Sequence, residues 1–155
     1  MTAAIASNRS FFRHPTAAGS LDETPPRLRV LVAEDDEPNQ QVLRIMLERR
    51  GYSVRIAANG RRALAALDEE SFDLLLLDVR MPEIDGWQVV DSLRRSEGKL
   101  PGCVRLPVVA LTAMAQKSDR NQCMQAGMDE YLSKPLRTAE LYATLDRVLA
   151  RQRRN

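Results

Sequence analysis

Along the chain, short unbroken apolar runs alternate with longer stretches in which apolar residues recur every three or four positions. The first run is Leu28, Val30, Leu31, Val32 and Ala33. A nearly continuous run of this length predicts a strand buried on both faces. Four acidic residues follow at once, Glu34-Asp35-Asp36-Glu37. Val42, Leu43, Met46 and Leu47 then return at helical spacing, with Arg44, Glu48, Arg49 and Arg50 between them and Gly51 closing the helix. The same unit recurs as structure, though not as sequence. Residues 52–57 predict a second strand, and Asn59-Gly60 opens a helix through Leu67. Residues 73–77 predict the third strand, in which Leu74 to Leu77 are all leucine and Asp78 caps the end. Further strands are predicted over 107–111 and 128–132, and helices over about 85–95, 118–126 and 138–150. Thr138 and Glu140 stand near the start of the last helix, where a cap and a negative charge are favourable.

Five strands alternating with five helices predict an α/β fold, an open parallel sheet covered on both faces. Right-handed crossovers leave few layouts, and the compact five-stranded one is doubly wound with order 2-1-3-4-5. In that order strands 1 and 3 become neighbours at the switch point, and ligands bind there, beyond the carboxyl ends of the strands.

Composition narrows the chemistry. A chain of 155 residues buries a full core without disulfides or structural metals. Cys103 and Cys123 have no partner Cys or His at metal-ligand spacing and read as ordinary thiols of a reducing, cytoplasmic compartment. His14 is the sole histidine, which removes a Ser-His-Asp triad, a His-rich metal site and a phosphorylatable histidine within a folded helix. A formal charge of +2, without a basic stripe or a following helix-turn-helix, gives no support to nucleic-acid binding. No apolar run is long enough to insert in a membrane, and no signal-peptide core is present. Residues 1–26 lack periodicity and read as a flexible tail or linker, with Arg9, Arg13 and the Phe11-Phe12 pair as its docking candidates. Residues 27–150 read as the folded domain and 151–155 as a C-terminal tail, with Arg151, Arg153 and Arg154 as a solvated end. Met114, Met124 and Met128 read as core gap-fillers, and Trp87 as packing.

The polar residues at the predicted strand ends carry the chemistry. Glu34 and Asp35 follow strand 1, Asp78 ends strand 3, Thr112 ends strand 4, and Lys134 follows strand 5. All lie at carboxyl ends, so the fold gathers them on one rim. Three converging carboxylates repel one another unless a cation neutralises them. A magnesium ion suits the set, because it takes a few carboxylates and keeps its other positions for water or phosphate oxygens. Lys134 adds a point charge and Thr112 a hydroxyl. Such a site suits phosphoryl transfer, where positioning and charge neutralisation supply most of the catalysis. Asp78 is the carboxylate nucleophile that would form an aspartyl phosphate.

The segments LVAEDDEPNQ, LLLLDVRMPEIDGW, VVALTA and GMDEYLSKP occur in this order. Together they make residues 28–150 resemble the receiver domain of two-component response regulators. The resemblance implies a flavodoxin-like fold and phosphorylation of Asp78. It implies metal binding by Glu34, Asp35, Asp78 and the backbone carbonyl of Arg80, with phosphoryl contacts from Lys134 and Thr112. Tyr131 matches the family's switch aromatic, and Lys134-Pro135 its usual cis peptide. The acidic run offers Glu34-Asp35 or Asp35-Asp36 as the metal pair. The family's spacing back from the glycine that ends helix 1, here Gly51, selects Glu34 and Asp35 and leaves Asp36 and Glu37 to cap helix 1 or face solvent. The opening AED followed by EPNQ, and the stretch DRNQCMQAGMDEYLSKP, look most like receivers of hybrid sensor histidine kinases.

The resemblance implies a switch in a phosphorelay. A histidine kinase or histidine phosphotransfer protein would donate to Asp78, Thr112 would be drawn to the new charge, and Tyr131 would fill the vacated space. The surface of helix 4, strand 5 and helix 5 would then change partner, as a monomer or a phosphorylation-dependent dimer. A phosphorylation-independent interaction module is the alternative, but such a chain should have lost an acid, the aspartate or the lysine. Hydrolases with an aspartyl intermediate carry an acid two residues after the nucleophile, where this chain has Arg80, so a turnover enzyme on an external substrate is not expected. Arg80 is instead a candidate shield of the aspartyl phosphate against water.

Overall fold

The computed structural model describes residues 26–99, 101–113 and 116–154. The readings for residues 1–25 and for Met114 lie outside the described residues. At the centre lies β3 (Leu74–Asp78), whose five residues are all buried. It pairs in parallel with β1 (Arg29–Ala33) on one side and β4 (Val108–Thr112) on the other. β2 (Ser53–Ala57) and β5 (Glu130–Ser133) form the edges, so the order is 2-1-3-4-5. The four leucines of β3 form this strand because a central parallel strand buries both faces and has no use for polar alternation.

Successive side chains of a strand point to opposite faces, and the two faces build two cores. Leu31, Ala33, Leu75, Leu77, Val108 and Ala110 pack with α2 (Gly60–Glu69), α3 (Gly86–Glu97) and α4 (Lys117–Ala126). Val30, Val32, Leu74, Leu76, Val109 and Leu111 pack with α1 (Glu37–Arg49) and α5 (Thr138–Arg154). On α1 the inward residues are Leu43 and Leu47, both fully buried, with Met46 packed beside them. Val42 shares their spacing but is 43% exposed. Met128 fills the core as expected, whereas Met124 on α4 is 40% exposed. Trp87 packs half-buried against the first core.

Local signals set the helix ends. Asp36 caps α1 by accepting from the Asn39 amide, and Gly51 leaves it at φ 82°. Asn59 caps α2, and Asp85 closes a capping box with Gln88 at the start of α3. The last helix corrects the expected boundary. It runs to Arg154, so Arg151, Arg153 and Arg154 form its final turn rather than a tail. Arginine is a good helix former, and a basic last turn complements the helix dipole. Arg151 also reaches Glu130 of β5 at 3.1 Å, so it is not merely a solvated end. Among the described residues no helix is long and apolar enough to cross a membrane.

Leu76 is fully buried in the central strand. Truncating it to alanine is expected to cost about 3 kcal/mol, within the range for large-to-small core changes. Chemical denaturation should show this as a lowered midpoint at unchanged slope.

Candidate functional site

The carboxyl ends of β1, β3, β4 and β5 meet at one rim. Glu34 follows β1 and is anchored twice through its backbone. Its N–H donates to the Ala57 carbonyl at 3.1 Å, and its own carbonyl accepts from Gln40 Nε2 at 2.7 Å. These anchors, from β2 and α1, turn a fully buried side chain toward β3. Asp78 ends β3 and is 5% exposed, while Asp35 is exposed. Carboxylate oxygens of Glu34, Asp35 and Asp78 lie within 4.8 Å of one another. Asp36 is engaged elsewhere, because its carboxylate caps α1.

Lys134 enters from beyond β5, where the Lys134-Pro135 bond is cis. Its backbone N–H donates to the Thr112 carbonyl at 2.8 Å, which ties the ends of β4 and β5 together. Its Nζ lies 3.1 Å from Asp78 Oδ2 and 2.8 Å from Glu34 Oε2. Thr112 itself is buried at the end of β4, opposite Ser133. Tyr131 stands apart from the acids, half-buried on β5 opposite Ala110, with the Arg120 guanidinium 5.9 Å from its ring centre. Arg80 has an exposed side chain and touches the site through its backbone, its N–H donating to Asp78 Oδ1 at 3.1 Å.

Electrostatics at the rim follow from this burial. Burial pushes the Glu34 carboxyl above its ordinary range, and the charge of Asp78 adds to the effect. Lys134 and the Asp36 amide oppose it without cancelling it. For Lys134, burial works against the charged form, but hydrogen bonds and charges from Glu34 and Asp78 outweigh it and hold the ammonium above its ordinary value.

One atom shows what the rim lacks. Glu34 Oε2 is fully buried, and the Lys134 ammonium at 2.8 Å is the one cation beside it among the described residues. One ammonium shared between two buried carboxylates leaves their charge only partly neutralised, and buried charge without full compensation is costly. Three carboxylate donors around it fit a hard divalent cation, and magnesium in particular takes few carboxylates.

Three features of the site lie beyond sequence reasoning. Gln40 holds Glu34 from a helix face that shows only a polar residue. Lys134 pairs with Glu34 as well as with Asp78, across a hundred residues of chain. Gly86 is required by a close approach, because a Cβ there would stand 2.5 Å from the Asp78 carbonyl oxygen. The Gly86 N–H donates to the Val79 carbonyl at 3.0 Å and closes the loop between them. Within that loop Glu83 takes a left-handed backbone at φ 66°.

Residues 30–146 match the response regulator receiver domain family. The chain is 40% identical over 113 residues to the sensor histidine kinase GacS of Pseudomonas protegens, covering 73% of this chain and 12% of that protein. It is 39% identical over 119 residues to a 14.6 kDa protein of Leptolyngbya boryana, covering 77% and 88%. Among solved structures it is similar to the receiver domain of the sensor histidine kinase PA1611 of Pseudomonas aeruginosa, which was crystallised with magnesium in its active-site cleft. That match has 36% identity and a TM-score of 0.70, and covers 81% of this chain and 99% of the other. The chain therefore spans a small part of the length of the sensor histidine kinase GacS.

Glu34 supplies a test of the electrostatics. Its raised pKa means that the fold favours the protonated acid. That contribution to stability is present at low pH and lost as pH rises through the raised value. Without divalent metal, Glu34→Gln is expected to melt higher than the wild-type chain at neutral pH. The gap should open as pH rises above about 4.5, and thermal melts in a chelator would follow it.

Proposed function

The chain belongs to the response regulator receiver domain family, and from that premise we propose that Asp78 accepts a phosphoryl group from the phosphohistidine of a partner protein. The observation that carries this reading is the clustering of the Glu34, Asp35 and Asp78 carboxylates beside the Lys134 ammonium. In the transfer, an Asp78 carboxylate oxygen forms a bond to phosphorus while the phosphorus–nitrogen bond of the donor breaks. The imidazole keeps the electron pair and later takes a proton. A magnesium ion held by Glu34, Asp35, Asp78 and the Arg80 carbonyl would offset the charge gathering on the phosphoryl oxygens.

The chain's own residues do the positioning. Buried between β1 and β4, Asp78 offers its carboxylate from a strand end that cannot shift without breaking the ladder. Lys134 is placed to follow the phosphoryl oxygens once Asp78 is phosphorylated, since it already spans Asp78 and Glu34. Thr112, fixed to Lys134 through its carbonyl, offers a hydroxyl at the same rim. Its approach to the new charge would open space toward Tyr131, two positions back along the β4–β5 ladder. The surface of α4, β5 and α5 would thereby change its preference for partners, a population shift between two states. The donor is a histidine kinase or a histidine phosphotransfer protein. A phosphorylation-independent interaction module remains the competing reading, and retention of every acid and of Lys134 weighs against it.

Acetyl phosphate with magnesium is expected to add one phosphoryl group to the wild-type chain and none to Asp78→Asn, as read by intact-protein mass. A magnesium titration should also change the fluorescence of Trp87, which adjoins the glycine packed on Asp78. A flat titration together with no mass gain would favour the interaction module.

The exposed Arg80 side chain stands two residues from Asp78. If it shields the acyl phosphate, Arg80→Ala should shorten the phosphorylated half-life severalfold. An unchanged decay rate would remove that role.

A further inference from the structure

Gln40 stands in the first turn of α1, half-buried, and its backbone N–H donates to the Asp36 carbonyl at 3.0 Å. Its side chain turns back toward the sheet, where Nε2 donates to the Glu34 carbonyl at 2.7 Å. Gln41, the next residue along the helix, carries the same side chain and is exposed. The accepting carbonyl lies outside the strand ladder, since β1 ends at Ala33. It belongs instead to the peptide unit that joins Glu34 to Asp35. A peptide unit is planar, so a hydrogen bond on its oxygen orients the whole plane, including the Asp35 nitrogen and Cα. On the other side of Glu34, the N–H donates to the Ala57 carbonyl at 3.1 Å. Glu34 is therefore held on both sides, and its buried carboxylate keeps one direction. Asp36 is held in turn as the cap of α1, its carboxylate accepting from the Asn39 amide at 3.1 Å. Asp35 stands exposed between two fixed neighbours.

We propose that Gln40 is a positioning residue of the acidic rim, and that by fixing the plane between Glu34 and Asp35 it sets the preference of the rim for magnesium over calcium. The proposal rests on the reading of that rim as a magnesium-assisted phosphoryl acceptor. Its physical ground is the difference between the two ions. Magnesium demands a near-ideal octahedron of oxygens at about 2.0–2.1 Å, whereas calcium accepts about six to eight oxygens at about 2.3–2.6 Å in a flexible shell. Two acids joined by a fixed plane present their oxygens at one spacing, as the smaller ion requires. Acids joined by a plane free to tilt lose affinity for magnesium first, because calcium adapts to the altered spacing. Groups that orient metal ligands without touching the metal typically carry about 10–100-fold in affinity. Gln40 is such a group, since it reaches the two acids only through their shared backbone.

Separate magnesium and calcium titrations of the full chain, followed by the fluorescence of its one tryptophan, Trp87, test the proposal. Gln40→Met keeps the length of the side chain and removes the donor. In that variant the magnesium dissociation constant is expected to rise about tenfold, and the calcium constant to change far less. The ratio of the two constants is the readout, because a loss of folded protein or of general stability weakens both ions alike. Gln40→Glu is the second variant, keeping the shape but placing an acceptor where the donor stood. Its added charge draws both cations alike, so the same shift in the ratio is expected. Gln41→Met should leave both constants at their wild-type values. A ratio unmoved in Gln40→Met and Gln40→Glu, or moved equally by Gln41→Met, would overturn the role of Gln40 while leaving the acceptor reading in place. A wild-type chain that neither responds to magnesium nor gains a phosphoryl group from acetyl phosphate would overturn that reading, and the role of Gln40 with it.

Discussion

Like charges held close together are the constraint on which this structure turns. Three carboxylates share a rim only a few ångströms across, and two of them are buried. At a separation near 4 Å and an effective dielectric near 20, the buried Glu34–Asp78 pair would repel by up to about 4 kcal/mol, and the exposed Asp35 adds less because solvent screens it. The Lys134 ammonium offsets part of that, and its own elevated pKa records how strongly the two acids hold it. The sheet has to carry the remainder. Glu34 is pinned by Ala57 and Gln40, Asp78 by the β3 ladder, and Lys134 by Thr112, so the acids cannot relax apart. The two leucine-rich cores supply the burial that makes such a rim tolerable, and a ligand that brings positive charge finds it already assembled.

Most of the fold was legible because its signals are local. Leu74 to Leu77 read as a buried strand since nothing in them alternates, and Asp36, Asn59 and Asp85 cap helices where their side chains predict. The strand order followed from crossover geometry without any contact information. The acidic cluster and Lys134 were legible for the same reason, since each residue stands at the carboxyl end of a recognisable strand.

What stayed hidden depends on contacts distant in sequence or on patterns that lack an apolar mark. The last turn of α5 carries only arginines and glutamine, so periodicity ends at Leu149 while the helix continues to Arg154. Val42 and Met124 show that helical spacing locates a face but not its width, because neighbours decide how far the contact extends. The second anion on Lys134 was illegible because Glu34 lies a hundred residues away. Gly86 appeared within a motif, but its reason is a steric contact with a carbonyl that no one-dimensional pattern displays.

The segment between Asp78 and α3 has a further consequence. Its two ends meet, since Gly86 packs on the Asp78 carbonyl and its N–H bonds to Val79. The intervening residues therefore behave as a small ring clasped at its base. A ring of this kind separates shape from charge: its base is fixed by backbone contacts, while the side chains of Arg80 and Glu83 on its outer arc are exposed. The carboxylate at the strand end and the electrical environment above it are thus set by different residues, the one by the ladder and the other by the ring.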